Sequence, residues 1–238
     1  MSEFYHTYNR GVEKRKIFLE RRDYFRGVHD LYEFNDVNIV ININRRFDEI
    51  DGNGIDGNRT SIIYRVFSGK PKEKLVNIIT WSLMPNHYHL FLNPVVDNGV
   101  SKFHQKFGGG FTNFFNTKHK RSGVLFQGGY KKIEVANDTQ ALQLICYIHA
   151  NPLDLWKPNW KEKGLTDSET KEALKFLEKE YRWSSHLDWW GIKNFPSLID
   201  TNSMSRFFKD PEEYREFFVN WLKYYSKNID TIQKLVLE

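Results

Sequence analysis

Two histidines one residue apart lie in the stretch Leu83-Met84-Pro85-Asn86-His87-Tyr88-His89-Leu90-Phe91-Leu92. The turn signal Pro85-Asn86 precedes a run in which apolar and imidazole side chains alternate. On a strand, successive side chains point to opposite faces, so His87 and His89 share one face while Tyr88 and Leu90 turn to the core. Their Cα atoms would stand ~7 Å apart, near enough for two neutral rings to lean onto one divalent ion. Two imidazoles do not close a metal site. A sheet can also carry such a pair on its solvent face with no metal at all. The second candidate pair is Tyr147 and Asn151, four residues apart and therefore on one side of a helix. A core position is the commoner fate of such a tyrosine. Taken together, though, the four residues make sense for phosphodiester cleavage. An ion held by His87, His89 and Asn151 would polarise the scissile phosphate as a Lewis acid. The Tyr147 oxygen would attack phosphorus, leaving a phosphotyrosine link and a free hydroxyl on the departing strand.

The elements that must position these residues follow from periodicity. Phe4 to Gly11 alternates aromatic and polar residues and ends on glycine, which predicts a first strand with Asn9, Arg10 and Gly11 at its end. Asp23 begins a helix through about residue 34, with Tyr24, Phe25, Val28, Leu31 and Tyr32 at helical spacing. Val37 to Asn44 alternates only in part, and Asp51 to Asn58 is a turn-rich loop. That loop fails the calcium-loop template, with Asp56 where glycine is needed and Ile62 where glutamate is needed. Ser61 to Phe67 and Leu75 to Leu83 read as strands, and the second pairs with the His87 strand through the tight turn at Pro85-Asn86. Val100, Phe103, Phe107, Phe111, Phe114 and Phe115 mark an amphipathic helix. Gly108-Gly109-Gly110 lies inside it, implying either a close approach to another backbone or a break.

Val124 to Val135 predicts two short strands around Gly128-Gly129. Lys118, Lys120, Arg121, Lys131 and Lys132, with Arg10, are candidate phosphate contacts, since basic residues beside aromatics suit a nucleic-acid surface. A solvated hairpin has the same composition. Asp138 or Thr139 would cap a helix over about 140–150, with Ala141, Leu144, Ile145 and Ile148 on its buried face. Pro152 ends it. Beyond Leu155 the chain becomes basic and tryptophan-containing, then helical from Asp167 and again from Asp210-Pro211-Glu212-Glu213, where Asp is the N-cap and Pro the first helical residue. This divides the chain into a core over residues 1–155 and a helical extension over 156–238 packed upon it.

Composition bounds the class. The chain has 238 residues, of which 40% are hydrophobic and 16% aromatic, so it can bury a substantial core. Its net charge of +5 and pI near 9.1 suit a polyanionic partner without requiring one. The single cysteine, Cys146, rules out an intramolecular disulfide and a cysteine-rich zinc site, and reads as a small buried hydrophobe. No apolar run reaches the length of a membrane span, and the N-terminus lacks the basic and apolar regions of a signal peptide. The expected location is the cytoplasm, with no membrane partner.

These residues carry a resemblance. The sequence resembles the HUH single-strand transposases with one catalytic tyrosine, the IS200-like family, and within it the REP-associated tyrosine transposases. The histidine–hydrophobic–histidine signature is met by His87-Tyr88-His89 with the preceding Met-Pro-Asn. The tyrosine helix is met by Tyr147-Ile148-His149-Ala150-Asn151-Pro152, the opening by Tyr5 to Gly11, and a Trp-Ser-Ser turn by Trp183-Ser184-Ser185. The resemblance implies an α+β fold, a central antiparallel sheet with helices mainly on one face in the manner of ferredoxin-like and RNA-recognition-like domains. It implies cleavage and rejoining of single-stranded DNA through a 5′-phosphotyrosine, with Mg²⁺ or Mn²⁺, often beside a hairpin, by a monomer or homodimer. Two departures remove positive charge near the implied DNA path: Gly129 where the family often has arginine, and Asp154 where a basic residue often follows Asn-Pro-Val. Two rival readings have less support. A hairpin-binding protein that has lost cleavage would not need His87, His89, Tyr147 and Asn151 together. A histidine-triad nucleotide hydrolase would need a third histidine in series, and position 91 is Phe.

Overall fold

A computed structural model describes residues 4–40 and 72–225. The expected strand over Ser61–Phe67, the loop from Asp51 to Asn58 and the second half of the run from Val37 to Asn44 lie outside these residues.

Four strands form one sheet: β1 (Tyr5–Arg10), β2 (Val76–Met84), β3 (His87–Pro94) and β4 (Lys131–Glu134). Their order is β2-β3-β1-β4, and every neighbouring pair is antiparallel. Helix α1 (Arg21–Glu33) falls between β1 and β2, and helix α2 (Gly99–Lys118) between β3 and β4. With that chain order, the strand arrangement is the split βαβ, ferredoxin-like one. Among the described residues, no helix is long and apolar enough to cross a membrane.

Register fixes which side chains share a face. Tyr8 pairs with His89 and with Lys131, Arg10 with His87, and His6 with Phe91. One face therefore carries His6, Tyr8, Arg10, His87, His89 and Lys131, and the other carries Thr7, Asn9, Tyr88, Leu90 and Lys132. On the second face Tyr88, Leu90 and Leu92 pack beneath Phe25, Val28 and Leu31 of α1 and Phe103, Phe107 and Phe111 of α2. Each such buried side chain contributes roughly 1.5–3 kcal/mol by leaving water.

The face with the histidines is covered as well, by α3 (Asp138–Ala150) and the C-terminal elements. These are the single turns α4 (Leu153–Trp156) and α5 (Trp160–Lys163), then α6 (Asp167–Lys179), α7 (His186–Trp189), α8 (Thr201–Phe207) and α9 (Pro211–Tyr224). Ile79 and Phe91 of the sheet, Leu144, Ile145 and Ile148 of α3, and Leu177, Trp189, Phe218 and Leu222 of the extension share one apolar core. Helices thus flank the sheet on both sides. The segment Trp183-Ser184-Ser185 runs along the outer edge of β2: the Leu83 amide donates to the Trp183 carbonyl at 2.9 Å, and the Trp81 amide to Ser185 Oγ at 2.9 Å. An otherwise open sheet edge is closed in this way.

Local chemistry sets the helix ends. Asp23, expected to begin α1, is the third residue of a capping box whose first member is Glu20. For α3 the cap is Asn137, which accepts from the Gln140 amide at 2.9 Å, and not Asp138 or Thr139. Asp210 caps α9 as its sequence predicts. Helix α2 continues unbroken through the three glycines. A Cβ at Gly110 would overlap the Phe34 ring, whereas Gly108 and Gly109 have open space there.

The two strands expected around Gly128-Gly129 do not pair with each other. Gly11 bridges Phe126 and the Gln127 amide donates to the Arg10 carbonyl at 2.8 Å, while β4 pairs further back along β1. Both pieces therefore run beside β1, and Gln127 to Tyr130 bulges out between them. β1 offers each a row of unpaired backbone groups, which outcompetes a local hairpin.

Candidate active site

Beside the histidine face of the sheet, Tyr8, Arg10, His87, His89, Gln127 and Lys131 line a cleft of about 500 Å³. His87 is partly open to it and His89 is only 5% exposed. Their rings stand 5.1 Å apart and perpendicular, as the alternation of the strand requires. His87 Nδ1 lies 2.6 Å from Asn86 Oδ1. A carboxamide oxygen only accepts, so the proton sits on Nδ1 and the Nε2 lone pair is left for a ligand. His89 Nδ1 meets His6 Nε2 at 2.9 Å. His6, buried and on the same face, was not singled out in the sequence; its signal was its parity with Tyr8 and Arg10 in β1.

Burial keeps both strand histidines neutral. It lowers the His87 pKa to about 4, with Lys161 and Arg10 adding to the effect. It takes His89 well below the usual imidazole range, helped by His87, His6 and Lys161. Neutral imidazole is the form that binds a metal.

Helix α3 brings Tyr147 to this face, edge-on to His89 with ring centroids 5.8 Å apart. Its phenol is buried, and burial raises its pKa, assisted by Tyr225 and Asp154, while the Asn151 amide pulls the other way. The helix is held by a buried network two residues further on. His149 Nδ1 contacts Tyr214 OH at 2.8 Å and His149 Nε2 contacts Ser185 Oγ at 2.8 Å. His186 Nδ1 contacts the same Tyr214 hydroxyl at 2.9 Å. The extension thereby fixes the rotation of the helix that carries Tyr147.

Asn151 ends α3, one turn from Tyr147 and only 2% exposed. Its Oδ1 accepts from Lys161 Nζ at 3.0 Å. Lys161, in α5, also reaches Asp154 Oδ2 at 2.7 Å, and its ammonium sits 5.2 Å from the centre of the Tyr147 ring. No periodicity in a short, irregular segment pointed to it. His87 and His89 fit a divalent ion. Asn151 Oδ1 accepts one bond from the Lys161 ammonium, which leaves it one lone pair. Among the described residues, no group of three or more His, Cys, Asp or Glu side chains is arranged to hold a metal.

The basic residues divide. Arg10 and Lys131 line the cleft, with Arg10 bonded to Gln127 Oε1. Lys132 lies on the opposite face, 4.4 Å from the centre of the Tyr5 ring. Lys118 is ion-paired with Glu20 and Asp23, and Arg121 is bonded to Asn116 Oδ1 and the Val124 carbonyl. Lys120 has a φ of 49° in the loop after α2. One continuous basic surface leading to the cleft is therefore not formed. Lys118 and Arg121 are spent on the protein itself, and strand alternation puts Lys132 on the far side. Tyr130, the other tyrosine in this region, stacks on His104 at 4.0 Å and bonds Ser101 Oγ at 3.0 Å, also away from the histidines.

A ferredoxin-like sheet with a histidine pair on one face and a tyrosine helix laid over it defines the class. Residues 36–151, just under half of the chain, match the family model described as "Transposase IS200 like". The match takes in His87, His89, Tyr147 and Asn151 and stops short of Lys161. Among solved structures the chain is similar to "Structure of the REP associates tyrosine transposase bound to a REP hairpin", with 12% identity over 84% of this chain and 85% of that chain and a TM-score of 0.44. No curated protein matches.

Proposed function

We propose that this chain cleaves and rejoins single-stranded DNA, beside hairpins as its motifs imply, with Tyr147 as the nucleophile. The observation that carries this is the placement of a buried helix tyrosine edge-on to the His87/His89 pair beside an open cleft. The Tyr147 oxygen attacks phosphorus as its phenolic proton leaves. The bond to the 3′ oxygen breaks, and that oxygen takes up a proton to become a free hydroxyl. The 5′ phosphate stays on the tyrosine, and rejoining is the reverse with another 3′ hydroxyl. His87 and His89 would hold Mg²⁺ or Mn²⁺, which supplies Lewis-acid polarisation of the phosphate when bound. Arg10 and Lys131 hold the entering strand by its phosphates. The high pKa that burial gives Tyr147 keeps the phenol protonated until a phosphate arrives, which limits wasteful reaction in the free protein.

The test is incubation of the full chain with a single-stranded DNA carrying a hairpin, in Mn²⁺, followed by denaturing electrophoresis. A covalent protein–DNA adduct supports the reading. Hairpin binding without any adduct would overturn it in favour of a binding protein.

A further inference from the structure

The Asn151 amide has a fixed orientation. An ammonium has three donors and no acceptor, so the atom it contacts must be the carboxamide oxygen. Lys161 therefore locks Asn151 with Oδ1 turned to itself at 3.0 Å, and the other amide atom, Nδ2, is left in the buried site beside the Tyr147 phenol with no hydrogen bond of ordinary geometry. A buried donor is rarely left unmade without a reason. Nδ2 can only donate, so it cannot ligate a cation; its complement is an anionic or carbonyl oxygen.

Lys161 points the same way. Its Nζ donates to Asn151 Oδ1 and Asp154 Oδ2, which accounts for two of its three N–H groups. Asp154 is itself fully engaged, since its Oδ1 accepts from Trp160 Nε1 at 2.9 Å. That carboxylate holds the ammonium in place. Both donors belong to residues in contact with Tyr147 or one turn from it.

We propose that Asn151 Nδ2 and Lys161 Nζ form an anion subsite for the backbone phosphate that Tyr147 attacks. This rests on the reading of Tyr147 as nucleophile. The ammonium neutralises charge on the non-bridging oxygens, and the amide fixes the phosphate relative to the phenol on its own helix. Preorganised donors of this kind act most strongly where water is excluded.

The experiment uses the full chain and three variants. Lys161→Met removes the charge and keeps the length; Lys161→Arg keeps the charge. Asn151→Asp exchanges the donor for an oxygen that is a better metal ligand. Binding of a short single-stranded oligonucleotide to metal-free protein is measured over a salt series, Mn²⁺ binding is measured without DNA, and adduct formation is timed. Lys161→Met should weaken oligonucleotide binding, reduce the slope of log K against log salt by about 0.7 and slow the adduct about 10²-fold. Lys161→Arg should keep the slope. Asn151→Asp should bind Mn²⁺ at least as tightly as the parent yet lose adduct formation to a similar degree. Asn151→Asp with full adduct formation, or Lys161→Met with unchanged affinity and slope, would overturn the subsite. If the parent forms no adduct, the proposed reaction fails, and the oligonucleotide and salt measurements still decide the subsite.

Discussion

Burial decides what each side chain at the site is able to do. It strips charge from His87 and His89 and keeps the Tyr147 phenol protonated, so the site in its resting state holds two neutral imidazoles and a neutral phenol. Tyr147→Phe removes one oxygen and keeps the ring packed, so it should abolish the adduct while leaving oligonucleotide affinity within about twofold. His87→Ala should also abolish it, but by weakening the ion, so raised Mn²⁺ should restore part of the rate. Full adduct formation in Tyr147→Phe would remove the phenol from the mechanism. His87, His89 and Tyr147 were legible because their types and spacing carry chemistry by themselves. His6 and Lys161 were not: one lay in a strand read only for its alternation, the other in a segment with no period to place its side chain.

At the scale of elements, α2 and the segment around Gly128-Gly129 show two ways in which packing overrules local propensity. Gly109 and Gly110 are neighbours in one helix with opposite surroundings. Gly109→Ala, in open space, should raise thermal stability by about 1 kcal/mol through helix propensity. Gly110→Ala should lower it, because the new methyl must displace the Phe34 ring. Equal shifts of the melting temperature would contradict the close approach. Phe34 lies too far along the chain for that glycine's reason to be read from sequence. The expected hairpin at Gly128-Gly129 was misread for a related cause, since β1 was the better partner for both halves.

The network around α3 makes a second element-scale prediction. Burial lowers the pKa of His149 well below the usual range and that of His186 to about 3, and outside this network it lowers His104, in α2, to about 3 as well. Their folded values lie below the unfolded value near 6.5, so the unfolded chain binds more protons between the two. Their stability contribution is complete above pH 6.5 and is lost as pH falls toward 3, at about 1.4 kcal/mol per unit for each. Asp188, raised to about 6 by burial, opposes this between about pH 4 and 6 as a single group. The urea midpoint should therefore drop steadily below pH 6, and a flat midpoint from pH 7 to 4.5 would contradict the buried neutral network.

At the scale of the molecule, the sheet separates two environments. One face packs an aromatic core under α1 and α2, and the other holds the histidine cleft, with the extension packed around α3. The order of elements was legible from hydrophobic period and the β2–β3 pair from the turn between them, whereas the antiparallel sheet as a whole came from the resemblance. The covering of the second face was not, because the aromatic stripe of α9 does not say which surface it meets. The division of the basic residues follows from the same geometry. Lys131→Ala should weaken single-strand binding and flatten its salt dependence by about 0.7. Lys118→Ala should leave that slope unchanged and instead destabilise the fold, since it removes the ammonium paired with Oδ1 of the fully buried Asp23, whose Oδ2 keeps the Leu19 and Glu20 amides. Identical salt slopes for the two variants would contradict this division.

The central claim is that one tyrosine, placed by α3 against the histidine face, takes the DNA. Proteolysis of a trapped adduct followed by peptide mapping tests this most directly. The account predicts a nucleotide on the peptide containing Tyr147. A nucleotide on Tyr130, which sits with His104 and Ser101 on the far side of the sheet, would contradict it whatever the variant rates showed.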